Sequence, residues 1–370
     1  MYQSFEARNF RCFRKLALTD LERVNLIAGM NNVGKTALLE ALFLHCGAYN
    51  PNLTLSLSAL RGIELVKVEF STRAEAPWDA LFPNFDTSKT VELLGKNTTT
   101  GQRTLRLRAI RDAEELAKVG GTIVQEGQEA GDTDQSETTI SPVPEEVQVL
   151  QLEYEAGEGF SKYYYVTLSP KGRRVHPIPP PAPFPAIFLA ARYRTPLPED
   201  AERFGKLETI GQQEVVKDAL RVIEPRLTRV AVIVAGGVPM IHGDIGLDRL
   251  IPLPVMGEGM SRLASLVVAI GNAPDGVVLV DEIENGLHHS VLNKVWRAVG
   301  EAAREFNTQV FATTHSFECI AAAHEAFSEG ERYDFRLHRL DRMKETKDIR
   351  AVTYDQETLE AAIEGALEVR

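Results

Sequence analysis

The chain is poor in cysteine, with Cys12, Cys46 and Cys319 only. An odd number with no C-x-x-C spacing excludes a disulfide framework and a cysteine zinc site. These residues read as reduced thiols of a cytoplasmic protein. The stretch Met1 to Arg8 lacks the apolar core of a signal peptide. No apolar run approaches the length of a membrane span, so no membrane partner is expected. Basic charge is in deficit: Lys and Arg total 41 against 52 Asp and Glu, a net charge of −11. That balance argues against a general nucleic-acid coat but leaves room for a local basic groove. Internal repeats and sustained heptads are missing as well, so no long coiled coil is expected.

What is there is an ordinary globular composition. The 370 residues are 44% hydrophobic and 25% charged, enough for one large core or two domains. Residues 1–50 read as strand, strand, glycine loop and helix. From about 53 to 175, short apolar runs such as Leu65–Phe70, Val147–Leu152 and Tyr163–Val166 alternate with turn signals, as an antiparallel β-rich lobe would. Residues 112–146 are acidic, rich in Gly, Ser and Thr, and read as a polar loop. Residues 177–185, PIPPPAPFP, favour polyproline II and make a semi-rigid connector. Strands are then expected at Ala186–Ala190, Val230–Val234, Val277–Val280 and Gln309–Thr313, with helices at Gln212–Ile223 and Ser290–Glu305. The expected organisation is a discontinuous α/β core, 1–50 and 186–370, with an inserted lobe at 51–185.

Four motifs carry chemistry. Gly29-Met30-Asn31-Asn32-Val33-Gly34-Lys35-Thr36 fits the P-loop pattern between an apolar strand and a helix. Backbone N–H groups and a helix N-terminus would converge there on phosphate. Lys35 would reach the β- and γ-phosphates, and the Thr36 hydroxyl would ligate Mg²⁺. The strand Val277–Val280 ends in Asp281-Glu282: the first acid can hold Mg²⁺, the second can polarise an attacking water as general base. The strand Gln309–Thr313 ends in Thr314-His315-Ser316. A neutral His315 imidazole can bond the γ-phosphate or the water; a structural role is the alternative. As the next parallel strand, it would share the carboxyl edge where open α/β sheets bind ligands. Finally, Gly257-Glu258-Gly259-Met260 opens a helix, another anion-binding end.

In this order the four resemble the ABC-type ATPases, in the branch of the SMC, RecF and OLD (overcoming lysogenization defect) ATPases. Arg8-Asn9-Phe10-Arg11-Cys12-Phe13 is similar to the branch's first strand, and Asp281 to His288 to its Walker B motif and D-loop. His315 stands at the switch histidine, and Gly257 to Met260 at the signature loop. The resemblance covers about 1–50 and 186–330. It implies an α/β P-loop NTPase, an ABC-type head with a β-rich arm lobe and a mixed or parallel core sheet. It implies ATP and Mg²⁺ as cofactors. It implies a homodimer that sandwiches ATP head to tail, Gly257 and Gly259 of one subunit capping the γ-phosphate held by Lys35 of the other. The usual signature serine is Gly257 here, so contact there would come from backbone N–H. The stretch Ala191-Arg192-Tyr193-Arg194 stands where a Q-loop would lie. OLD enzymes also carry a C-terminal TOPRIM nuclease for which this chain has no room, so a separately encoded nuclease is an expected partner.

Other signals are weaker. Arg106 and Arg108 share one strand face, either solvated or in contact with DNA or RNA. Asp132 and Asp134 lie in the polar loop and are not read as a metal site. His288 and His289 read as D-loop and helix start. A guanine-recognising N-K-x-D is absent, since Asn293-Lys294-Val295-Trp296 fails it, and a small-molecule kinase would need neither His315 nor the Gly257 loop. The functions left are an ATPase clamp working with a nucleic-acid effector in DNA repair or defence, or a slow ATP-dependent switch that gates a partner.

Overall fold

The computed structural model describes residues 1–61, 76–112, 114–116, 119, 147–157, 161–170, 172–192 and 194–370. The expected strand at 65–70, most of the polar stretch 112–146 with Asp132 and Asp134, and Tyr193 lie outside the described residues.

The fold is α/β and rests on two large sheets. The core sheet has six strands in the order β16-β15-β3-β14-β13-β9. These are β16 (Ile349–Tyr354), β15 (Phe335–Arg342), β3 (Val24–Ala28), β14 (Gln309–Thr313), β13 (Val277–Val280) and β9 (Ala186–Leu189). Five run parallel, and β16 pairs antiparallel on the edge. The sheet is therefore mixed.

Its central strands are buried along their whole length and mostly apolar, because both faces are covered. Side chains alternate between two cores, as the two-residue period requires. Leu26, Val278, Val280, Val310 and Ala312 face the helices Glu258–Gly271, Leu292–Glu305 and Phe317–Ser328. Ile27, Val277, Leu279 and Phe311 face the opposite way, into a core shared with the P-loop helix α1 (Lys35–Cys46).

Helix α1 is the hinge of the architecture. Ala37, Leu38, Leu39, Ala41, Leu42 and Leu44 are all buried, on every side of the helix. A helix apolar all round must be enclosed, and a second sheet encloses it. That sheet has seven antiparallel strands in the order β2-β1-β4-β5-β6-β7-β8. They are β1 (Tyr2–Phe10), β2 (Phe13–Leu18), β4 (Val91–Asn97), β5 (Gly101–Ile110), β6 (Gln148–Ala156), β7 (Ser161–Ser169) and β8 (Gly172–His176). The N-terminal hairpin, grouped by sequence with residues 1–50, thus pairs with the strands of the lobe. A third, small sheet, β10 (Arg229–Ala235), β11 (Val238–Asp244) and β12 (Ile251–Pro252), precedes the Gly257 loop.

Candidate functional site

The parallel strands β3, β14 and β13 are neighbours, so the residues after each share one edge. After β3 comes the glycine loop. Gly34 caps α1 at φ 93°, and a Cβ there would lie 2.6 Å from Cys12 Sγ and 2.8 Å from the Phe13 ring. A Cβ on Gly29, at φ 140°, would meet the Leu340 carbonyl at 2.7 Å. Only glycine fits either place. Val33 is buried, while Asn31 and Asn32 are exposed. Asn32 takes a positive φ of 65°, and its carbonyl accepts from Arg342 Nη2 at 3.0 Å. The Lys35 ammonium donates to the loop carbonyls of Gly29 (2.5 Å) and Met30 (3.1 Å). Burial lowers the Lys35 pKa, against the opposing charges of Asp281, Glu282 and Glu284.

Thr36 Oγ1 donates to the Asp281 carboxylate, 3.1 Å from Oδ1 and 3.0 Å from Oδ2. Thr313 Oγ1, at the end of β14, donates to Asp281 Oδ1 at 2.7 Å. Burial raises the Asp281 pKa, and these two hydroxyls oppose the rise. Glu282 departs from the strand at φ 49°, its N–H donating to Thr313 Oγ1 at 2.8 Å. Asn285 Nδ2 donates to Glu282 Oε2 at 2.7 Å. Glu284 accepts from Thr314 Oγ1 at 2.8 Å and from the His315 N–H at 3.1 Å. His315 Nδ1 lies 3.6 Å from the same Glu284 oxygen, with the imidazole half exposed.

The Gly257 loop approaches this edge from the helix side. Gly257 caps the helix Glu258–Gly271 at φ 133°, and a Cβ on Gly259 would lie 3.4 Å from the Gly286 carbonyl. Glu258 packs over Gly286 and accepts from Arg194 Nη2 at 2.6 Å. The segment after β9 therefore does reach the loop. Among the described residues, no hydrogen bond or ion pair joins residues 257–260 to residues 29–36. His288 caps the turn His289–Val291, accepting from Ser290 N.

Sequence reading missed several partners. Glu40, one turn after Thr36, is a buried carboxylate held by Arg11 (2.7 Å) and by Arg61 through a fork of 2.6 and 2.9 Å. Its signal was a lone acid inside an otherwise apolar helix. Asn285 acts within its own turn, on Glu282 three residues before it, and Arg262 had no signal because it acts on a segment about 20 residues away.

A divalent cation fits the donor chemistry. The atoms gathered at Thr36 and Asp281 are oxygens, the ligands of a hard cation. Among the described residues no group of three or more His, Cys, Asp or Glu could hold a metal. Mg²⁺ in a nucleotide site needs only one or two protein ligands beside phosphate. Among the described residues no helix is long and apolar enough to cross a membrane.

Residues 24–320 match the family model described as "AAA domain, putative AbiEii toxin, Type IV TA system". The chain belongs to that family. It is by membership a P-loop ATPase of α/β fold. A protein of Helicobacter pylori named "ATP/GTP phosphatase" is 24% identical over 345 residues, 86% of each chain. The uncharacterized protein MJECL10 of Methanocaldococcus jannaschii is 40% identical over 65 residues, 18% of this chain and 29% of that one. Among solved structures, an SMC head bound to the C-winged helix domain of ScpA aligns over 98% of this chain and 99% of its own, at 13% identity and a TM-score of 0.48.

Proposed function

We propose that the protein binds and hydrolyses ATP with Mg²⁺ and works as a head-to-tail dimeric clamp. The observation that carries this reading is the pair of contacts between Thr36 and Asp281, which brings the P-loop and the Asp-Glu turn to one edge. In it, Lys35 and the loop N–H groups bind the phosphates, and Thr36 and Asp281 hold the cation. Mg²⁺, when bound, neutralises charge on the β- and γ-phosphates. Glu282 draws the proton from the attacking water, and His315 orients that water or the γ-phosphate. Gly257 and Gly259 close the site of a second subunit; that no hydrogen bond or ion pair among the described residues joins their loop to residues 29–36 is consistent with this. Excluding water there strengthens each fixed dipole against the developing charge.

The effector is a nucleic-acid enzyme, a separately encoded nuclease acting on DNA or RNA, in DNA repair or defence against foreign DNA. The family's description, which names a Type IV TA system, favours defence. The slow-switch reading draws on Gly257, which offers no side chain where a hydroxyl would stand. The name of the Helicobacter pylori relative makes GTP the natural competing substrate.

Steady-state release of phosphate from ATP and from GTP, across protein concentrations and with or without DNA, tests the reading. Turnover per protomer should rise with concentration, or the protein should already be a dimer. Full activity from a demonstrable monomer would overturn the clamp, and absence of hydrolysis at every concentration would leave the switch.

A further inference from the structure

Asp281 and Glu282 sit where the chain has left β13, and their backbone is held from three directions. The Asp281 N–H donates to the Leu189 carbonyl at 2.9 Å, and the Ile283 N–H to the Thr313 carbonyl at 3.1 Å. The Glu282 N–H donates to the Thr313 hydroxyl oxygen. Those bonds fix the N–H groups through strands β9 and β14. The two carbonyls have no strand to receive them, although the Asn285 N–H donates to that of Glu282 at 3.1 Å. Arg262 Nη2 donates to both, 3.2 Å from Asp281 O and 3.3 Å from Glu282 O.

Arg262 has four carboxylates around it, Asp281, Glu284, Asp200 and Glu282, all of which favour its charge against the cost of burial. Yet none forms an ion pair with it. One guanidinium nitrogen, Nη2, is turned to backbone carbonyls, which fixes a conformation rather than pairing a charge, while Nε is buried without a partner among the described residues. That conformation is uncommon: φ 49° at Glu282 is the left-handed region, where a residue with a Cβ persists only when its surroundings over-determine it. Arg262 also stands three residues after Gly259 on one helix, so the two share a face. Whatever displaces the first turn of that helix displaces a donor shared by the Asp281 and Glu282 carbonyls.

We infer that Arg262 is a positioning residue that ties the Gly257–Gly259 loop to the backbone of the candidate general base Glu282. This rests on the proposed function, in that it takes Glu282 as the base. Closure of the loop on a γ-phosphate is then transmitted through one side chain to the carboxylate that activates water. Turnover thereby becomes conditional on a closed site.

The test is a double-mutant cycle. Arg262→Met keeps much of the side-chain volume and removes both hydrogen bonds. It should lower kcat on the order of 10- to 10²-fold, the range for misplaced catalytic groups. Affinity for a non-hydrolysable ATP analogue, measured by calorimetry without Mg²⁺, should stay within about twofold, since Arg262 makes no hydrogen bond to residues 29–36. Arg262→Lys, whose one ammonium can donate to both carbonyls as Nη2 does, should recover part of the loss. In a Glu282→Gln background Arg262→Met should add almost nothing, because the group it positions is already disabled. Thermal melting checks that each variant folds; if Arg262→Met does not, Arg262→Gln carries the cycle. Multiplicative losses in the double mutant, an unchanged kcat, or a loss confined to nucleotide affinity would overturn the inference. A Glu282→Gln protein that turns over like the wild type would instead overturn the reading beneath it, and the inference with it.

Discussion

On the outer face of the seven-stranded sheet, Arg106 lies between Glu92 (3.0 Å), Glu155 (2.9 Å) and Glu153 (3.4 Å), while Arg8 pairs with Glu6 and Glu92. At the carboxyl edge of the six-stranded sheet, Asp281 and Glu282 accept from hydroxyl and amide groups, and Lys35 donates to carbonyls. The first set of charges is paired within itself, two arginines among four glutamates. The second is gathered at close quarters with neutral partners, so its charge remains available to something else. Burial strengthens the contrast, pushing Lys35 down and Asp281 up. Perturbed groups that burial covers and no ion pair engages are what a binding edge requires; mutually paired surface charges are what a solvated sheet face requires.

The contrast breaks first at Lys35. Lys35→Ala removes the main cation of the edge and should abolish ATP binding in equilibrium titration. Near-native affinity would mean the edge does not bind triphosphate. Glu282→Gln keeps the shape and the Asn285 contact but cannot take a proton. Its turnover should fall on the order of 10²–10⁴-fold with ATP binding retained. Phosphate release at the wild-type rate would make Glu282 a bystander.

The edge was legible in the sequence because its pieces are local. A glycine loop between strand and helix, and two apolar runs ending in polar residues, state their own geometry. β13 and β14 fall at the residues read for them. Val230–Val234 lies within β10, and Gln212–Ile223 encloses the helix Gln213–Arg221. What was not legible depends on distant pairing. β15 and β16, FRLHRLDR and IRAVTY, mix charges into their apolar pattern and become strands by pairing with β3 and with each other. The hairpin β1–β2 reads correctly as two strands, but no local signal says that β1 pairs with β4, some 80 residues on. Arg262 is invisible for the same reason: its meaning lies in two carbonyls about 20 residues away.

A smaller effect tests the interior behind the edge. Asp200, on the helix Leu197–Thr209, is buried beside Ser265 and Arg203, and burial pushes its pKa up to about 6. A folded value above the unfolded one means the folded state holds a proton through that window, so stability falls as pH rises from about 4 to about 6. Asp200→Asn removes this dependence. Its melting temperature relative to wild type should climb across the window and level off above it, by up to about 3 kcal/mol of relative stability. A difference that stays flat with pH would mean Asp200 ionises freely in the folded protein.

The smallest effect belongs to the lobe and bears most directly on the contrast. Arg106→Met removes one cation from three carboxylates on a partly exposed strand face. Coulomb attraction is largely screened there, and two long side chains lose freedom to form each pair, so the loss should be about 0–1 kcal/mol. Glu92, Glu153 and Glu155 would be left to repel one another, and added salt should narrow the gap from wild type. ATP affinity and turnover should not change. Arg108 faces the same way and is engaged by Glu115 and Gln151. Changing both arginines to Glu should leave any DNA or RNA binding, and its salt dependence, where the wild type has it. A clear drop in nucleic-acid affinity with a shallower salt slope would show that these charges are lent to a backbone after all. The self-paired face would then be a binding face, and the division between the two sheets would fail.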